Sequence, residues 1–216
     1  MKFKKHLLNK IDKTFALFFI TVVTLFTGLT RIVISGKLNT MDLNLIKLVH
    51  LYQHPILTKI AKIFYFLGES EVAACIVILS LGFLCWKSYW KEAQVLAISA
   101  MGILLVIDKI LKPWFGRIRP IPGLIDVHGK SYPSGHISGN LMLYLYFSYL
   151  MGFYFPKWKA FFYTISIFFV MTIGWSSIYL NIHWYTDLLA GTVIAFMGFL
   201  FCITLLKSIN NKYLDS

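Results

Sequence analysis

The sequence predicts an all-α fold: a bundle of six transmembrane helices with an amphipathic interfacial segment between the first two. Three observations predict it. Of 216 residues, 58% are hydrophobic and only 14% are charged, against about 25% charged in a soluble domain. The mean hydropathy is +0.70. The apolar residues also fall in runs of roughly 20, the length a helix needs to cross a bilayer, separated by short polar links. The whole chain, 1–216, reads as a single integral membrane domain.

The elements follow in order. Residues 1–13 are basic, with Lys2, Lys4, Lys5, Lys10 and Lys13 against Asp12. The first apolar run, about Phe15 to Val33, is long enough to span and is followed by no small-residue cleavage site, so it is expected to stay as the first helix. Arg31 can snorkel from its far end. Residues 36–69 mix Lys47, Lys59 and Lys62 with Leu, Ile and Phe. That stretch is too polar to cross lipid and is expected to lie at the interface or pack against the bundle. The remaining spans run from about Val72 to Trp86, Ala93 to Leu111, Ile137 to Phe155, Phe161 to Tyr179 and Trp184 to Leu206. Trp86, Tyr89 and Trp90 supply an aromatic belt. Cys75, Cys85 and Cys202 all lie inside apolar stretches and read as small buried hydrophobes.

The net charge of +12 does not point to nucleic acid, because the basic residues sit mainly in the links. Even-numbered spans place both termini on one side, together with Lys87, Lys91, Lys157 and Lys159. By the positive-inside rule that side is the cytoplasm of a cell-membrane protein. Two outer segments break the rule. One is 36–69, whose lysines fit the polar face of an interfacial helix. The other is the loop 112–135, with Lys112, Arg117, Arg119 and Lys130. An anionic ligand outside the cytoplasm is the natural explanation for those cations.

Three clusters fall on that outer face. Lys112 to Pro120 leaves the third span and supplies charge. Arg119 can grip phosphate with two donors, and Lys112 adds a point charge. Lys112 equally fits a snorkelling residue paired with Asp108 one turn earlier. Pro133-Ser134-Gly135-His136 enters the fourth span. Ser134 is a good N-cap, Gly135 lets backbone approach a ligand, and the free N–H groups of a helix start favour an anion. Read by itself, the cluster is equally an ordinary capped helix start. His183 to Asp187 enters the sixth span. Four residues apart, the pair shares one helix face. The carboxylate can fix the histidine tautomer and leave the other ring nitrogen free to attack or to accept a proton. By itself that pair equally fits a polar interfacial helix start. Together the clusters offer cations, a helix-terminus anion site and two histidines, one with an orienting Asp. Phosphoryl transfer through a phosphohistidine needs that combination. Metal or haem ligation fits poorly, since only His50, His54 and His128 are available nearby and the cations would repel a metal.

These residues resemble the type 2 phosphatidic acid phosphatase family of integral-membrane lipid phosphatases. The family's first motif, Lys, six residues, Arg-Pro, is matched by Lys112 to Pro120. Its second, Pro-Ser-Gly-His, is matched by residues 133–136. Its third, Ser-Arg, five residues, His, three residues, Asp, is matched at Ser176, His183 and Asp187, with Ser177 where the family has Arg. The resemblance implies His183 as nucleophile, Asp187 as its orienting partner and His136 as general acid. It implies Lys112, Arg119, Ser134 and the Gly135 N–H as phosphoryl ligands, with no metal and no cofactor. The implied partners are the bilayer and a lipid phosphate or pyrophosphate, such as an undecaprenyl pyrophosphate, phosphatidylglycerophosphate or phosphatidic acid. A missing charge-assisted donor, worth about 1.5–3 kcal/mol, leaves three readings: a slowed phosphatase with Arg117 or Lys130 filling the gap, a phosphotransferase with another acceptor, or a lipid-phosphate binder or transporter without turnover.

Overall fold

A computed structural model describes residues 2–211, with side chains described for residues 16–209. The basic side chains of residues 1–13, and Lys212, lie outside that range. The described residues are helical throughout, joined by turns and one longer loop: α1 Lys2–Ile34, α2 Asn39–His50, α3 Pro55–Leu67, α4 Ser70–Trp86, α5 Trp90–Leu104, the short α6 Lys112–Phe115, α7 Gly135–Tyr154, α8 Lys159–Tyr179 and α9 Tyr185–Asn211. A π-helical stretch, Leu105–Leu111, joins α5 to α6 without a break. Its wider turns shift the helix phase just ahead of the loop that follows α6.

Among the described residues, four stretches are long and apolar enough to cross a bilayer: Ala16–Ile34, Trp90–Phe115, Pro156–Tyr179 and Tyr185–Ile209. A fifth results if α3 and α4, bent by 46° at their junction, count as one span. The stretch 36–69 forms the two helices α2 and α3, packed against the bundle as one of the two expected placements has it, and α3 continues through a bend into α4. Both α2 and α3 pack on α8.

Helix α7 is the hub. It packs against α8 and α9 most extensively, and against α4 and α5 as well. Its polar residues Ser138, Asn140 and Ser148 are buried inside the bundle, not turned to lipid. Each donates hydrogen bonds within the bundle. Asn140 Nδ2 donates to the carbonyls of Gly68 and His136, both at 2.8 Å. Ser138 donates to the Ser134 carbonyl at 2.8 Å, and Ser148 to the Phe162 carbonyl at 3.0 Å.

Two glycines set how closely the elements meet. A Cβ at Gly68, in the α3–α4 bend, would sit 2.6 Å from Ile173 Cγ2 and 3.2 Å from the His136 ring. A Cβ at Gly191 on α9 would sit 2.7 Å from the Ser134 carbonyl oxygen. These close approaches bring α8, α9 and the bend against the start of α7, where the three clusters meet.

Candidate active site

The second cluster forms the floor. Ser134 is fully buried, and its hydroxyl accepts from the Ile137 N–H at 3.4 Å, capping α7. Its own N–H donates to the Asp187 carbonyl at 3.1 Å, tying this cluster to the third. The Gly135 site is open enough that a Cβ there would lie 3.5 Å from Lys112 Nζ, so the ammonium stands over the helix start. Both ingredients of an anion site, free N–H groups and a cation, are therefore side by side.

His136 stacks on Tyr65 of α3, ring centroids 4.5 Å apart, and meets the His183 ring edge-on at 6.1 Å. Its Nε2 is buried with no hydrogen-bond partner among the described residues. A buried donor or acceptor without a partner costs free energy, so such an atom marks a place for a ligand group.

His183 is 1% exposed and Asp187 fully buried. The spacing of four residues does what the sequence predicts: His183 Nδ1 lies 3.3 Å from Asp187 Oδ2. The same oxygen accepts from the Trp184 N–H at 2.9 Å. The other ring nitrogen, Nε2, faces Arg119 Nη1 at 3.4 Å. Arg119 is anchored by its remaining donors, Nε to the Gly129 carbonyl at 3.2 Å and Nη1 to the Ile182 carbonyl at 3.0 Å. Lys112 pairs with Asp108 at 2.6 Å, and both line the pocket. The snorkelling pair and the pocket cation are thus the same residue.

Electrostatics follow from burial. His183, ahead of α9, is pushed below its ordinary value, chiefly by loss of solvent, while the hydrogen bond and charge of Asp187 oppose the shift. The lowered value favours a neutral His183 ring at neutral pH.

Lys112, Arg119, Gly135 and His136 line one cavity of about 80 Å³, with Tyr65, Ser70, Asp108, Ser138 and Gly139. A second, apolar cavity of about 260 Å³ shares Ser70, Ile103, Leu104 and Gly139 with it. It runs between α4, α5 and α7, lined by residues such as Ala73, Ala74, Ala97 and Ala100.

Two expectations need correction. Arg117 does not offer a spare donor to the cavity. Its guanidinium goes to Asp187 Oδ1 at 2.6 Å, Thr186 Oγ1 at 2.7 Å and Asp42 Oδ2 at 2.7 Å, because two buried carboxylates outcompete an open pocket for it. Lys130 is exposed and is not among the cavity-lining residues. Neither replaces the Arg absent at position 177. Ser177 itself is buried and turned back into α8, donating to the Ile173 carbonyl at 3.0 Å. Its carbonyl accepts from the Ile182 N–H at 2.9 Å and the His183 N–H at 3.4 Å, closing the turn that presents His183.

Sequence reasoning missed Tyr65, Asn140 and above all Asp42. An acidic residue in the first turn of a helix is ordinary dipole chemistry, and nothing near Asp42 in sequence announces a partner on α9.

Among known proteins, phosphatidylglycerophosphatase B of Bacillus subtilis (strain 168) is 26% identical over 177 residues, which cover 80% of this chain and 86% of that one. The lipid A 4'-phosphatase of Porphyromonas gingivalis is 28% identical over 170 residues, 71% of this chain and 68% of that one. The crystal structure of a transmembrane PAP2-type phosphatidylglycerolphosphate phosphatase from Bacillus subtilis superposes with a TM-score of 0.78 at 23% identity, covering 90% of this chain and 96% of its own. That of Aquifex aeolicus LpxE gives 0.61 at 24% identity, covering 77% and 95%. Both share the fold. The family model of the PAP2 superfamily matches residues 93–210, more than half of the chain and all three clusters, and the chain belongs to that superfamily.

Proposed function

We propose that this protein is a membrane lipid phosphatase that hydrolyses a lipid phosphate or pyrophosphate of the phosphatidylglycerophosphate, phosphatidic acid or undecaprenyl pyrophosphate class. The observation that carries the reading is the confluence of a small polar cavity with a long apolar one. Cations, a helix start and His136 surround the first, His183 stands beside it, and the second leads away between lipid-embedded helices. A phosphate head with an apolar tail fits that shape. The names of the two curated relatives support the class.

In the proposed reaction, Lys112, Arg119, Ser134 and the Gly135 N–H hold the phosphoryl oxygens. Asp187 keeps the Nδ1 proton of His183, so Nε2 attacks phosphorus. The P–N bond forms as the P–O bond to the lipid breaks, and His136 gives its proton to the leaving oxygen. Water, deprotonated by His136, then releases phosphate and restores His183. The negative charge of the bound phosphoryl group favours the protonated His136 that the first step needs. All steps use protein groups; no cofactor or metal is proposed.

The six-span layout belongs to the same reading. Helix α7 is the additional span: its polar residues are buried against neighbours, so mean hydropathy understates its fitness for the bilayer. Both termini are then cytoplasmic, and the site opens on the outer face. The chain acts as one domain, 1–216.

The test is inorganic phosphate release from these lipids in detergent with EDTA present. Wild type is expected to release phosphate and His183→Ala to lose release at least about 100-fold; equal release by both would sink the proposal. A second reading, a lipid-phosphate binder without turnover, is favoured by Ser177, whose hydroxyl donates to the Ile173 carbonyl of its own helix. It predicts lipid binding with no release until Ser177→Arg restores it.

A further inference from the structure

Behind Asp187 lies a buried charge chain that phosphate contacts do not explain. Asp42 on α2 is 1% exposed and Asp187 is fully buried. Arg117 bridges them, giving one Nη to each carboxylate at 2.7 and 2.6 Å. Thr186 completes the frame. Its N–H donates to Asp42 Oδ1 at 3.1 Å and its hydroxyl to Asp42 Oδ2 at 2.6 Å, while that hydroxyl accepts from Arg117. Trp184 covers the guanidinium, 5.4 Å from its ring centroid. The chain joins α2, the loop after α6 and the start of α9, three elements far apart in sequence.

The charges alternate: Asp42 negative, Arg117 positive, Asp187 negative, then His183. An Arg bound to Asp187 alone would cancel most of its field at the imidazole. Asp42 draws part of that positive charge away, so Asp187 remains an effective anion toward His183 Nδ1. Arg117 also occupies Oδ1, leaving Oδ2 as the oxygen aimed at the ring. We infer that Asp42 and Arg117 are positioning residues that act through Asp187, in opposite directions, to set the basicity of His183; this rests on His183 being the nucleophile.

The other groups facing His183 are Arg119, 3.4 Å from Nε2, Lys112 with its partner Asp108, and His136, itself stacked on Tyr65. The substitutions below leave all of them in place.

The experiment titrates His183 by NMR of His-Cε1-labelled protein in detergent, its signal assigned by its disappearance in His183→Gln. The acid limb of kcat/KM for lipid phosphate release is recorded in parallel. Asp42→Asn is expected to move the His183 titration and the acid limb to lower pH, by on the order of one unit for a charge removed at this range. Arg117→Gln is expected to move both to higher pH, and the double variant back toward wild type. General loosening of the site would admit water and raise the depressed His183 value in every variant. Shifts of the same sign in both single variants, or no shift, overturn the inference. Where Arg117→Gln does not fold, Asp42→Asn alone decides: a downward shift supports the inference, and an upward or absent shift overturns it. The NMR titration reads without turnover, so a wild type that releases no phosphate defeats the phosphatase reading and leaves this measurement standing.

Discussion

Burial gives His183 its chemistry. Loss of solvent pushes the ring below its ordinary value of 6.5, and Asp187 limits the fall. The sign for activity follows directly. A nucleophilic imidazole must be neutral, and a depressed value keeps it neutral to lower pH. In the proposed reaction the limb of kcat/KM set by His183 should therefore lie below pH 6.5, the nucleophile being lost as pH falls through the depressed value; a pH–rate profile on a short-chain lipid phosphate checks this. Position 177 carries the other residue-scale prediction. The serine hydroxyl is spent on its own helix, and position 177 lies one turn beyond Ile173, whose side chain borders Gly68 near His136. Ser177→Arg should raise kcat/KM roughly tenfold to a hundredfold, the value of one charge-assisted hydrogen bond of about 1.5–3 kcal/mol. Steady-state kinetics with paired thermal unfolding in detergent would measure it.

At the scale of elements, the site depends on how tightly helix starts approach one another. Gly191 allows α9 to lie against the Ser134 carbonyl, and any Cβ there would meet backbone at 2.7 Å. Backbone cannot swing aside as a side-chain tip can. Gly191→Ala should therefore displace the Ser134–Gly135 turn and cost about 1–3 kcal/mol of stability. The readout is a lower unfolding temperature together with a raised Ki for inorganic phosphate. The π-helical stretch Leu105–Leu111 works at the same scale. It keeps α5 and α6 continuous while Asp108 and Lys112, one turn apart, both reach the cavity.

For the whole molecule, the arrangement couples a dry groove to a polar pocket. Ala100 lines the groove and not the polar pocket. Ala100→Phe should raise KM for long-chain lipid phosphates roughly 15- to 60-fold, if two or three methylenes lose burial at about 0.8 kcal/mol each, and should spare a dihexanoyl substrate. Comparing the two chain lengths in one detergent checks it.

Much of this protein was legible in the sequence. Runs of about 20 apolar residues dictate membrane helices, because unpaired backbone polar groups are too costly in lipid. The helical spacing of four brings His183 to Asp187, since that geometry is local. Clusters two and three each carry their own helix start, so they could be read without the fold. Tertiary structure decided what distant segments do to one another. The run from Ile137 to Phe155 reads as a span in the sequence, but only packing shows that its polar residues Ser138, Asn140 and Ser148 are buried against neighbouring helices. Arg117 looked available for phosphate until Asp42, 75 positions earlier in the chain, was seen beside it. A guanidinium takes the nearest buried carboxylates, and only packing determines which those are.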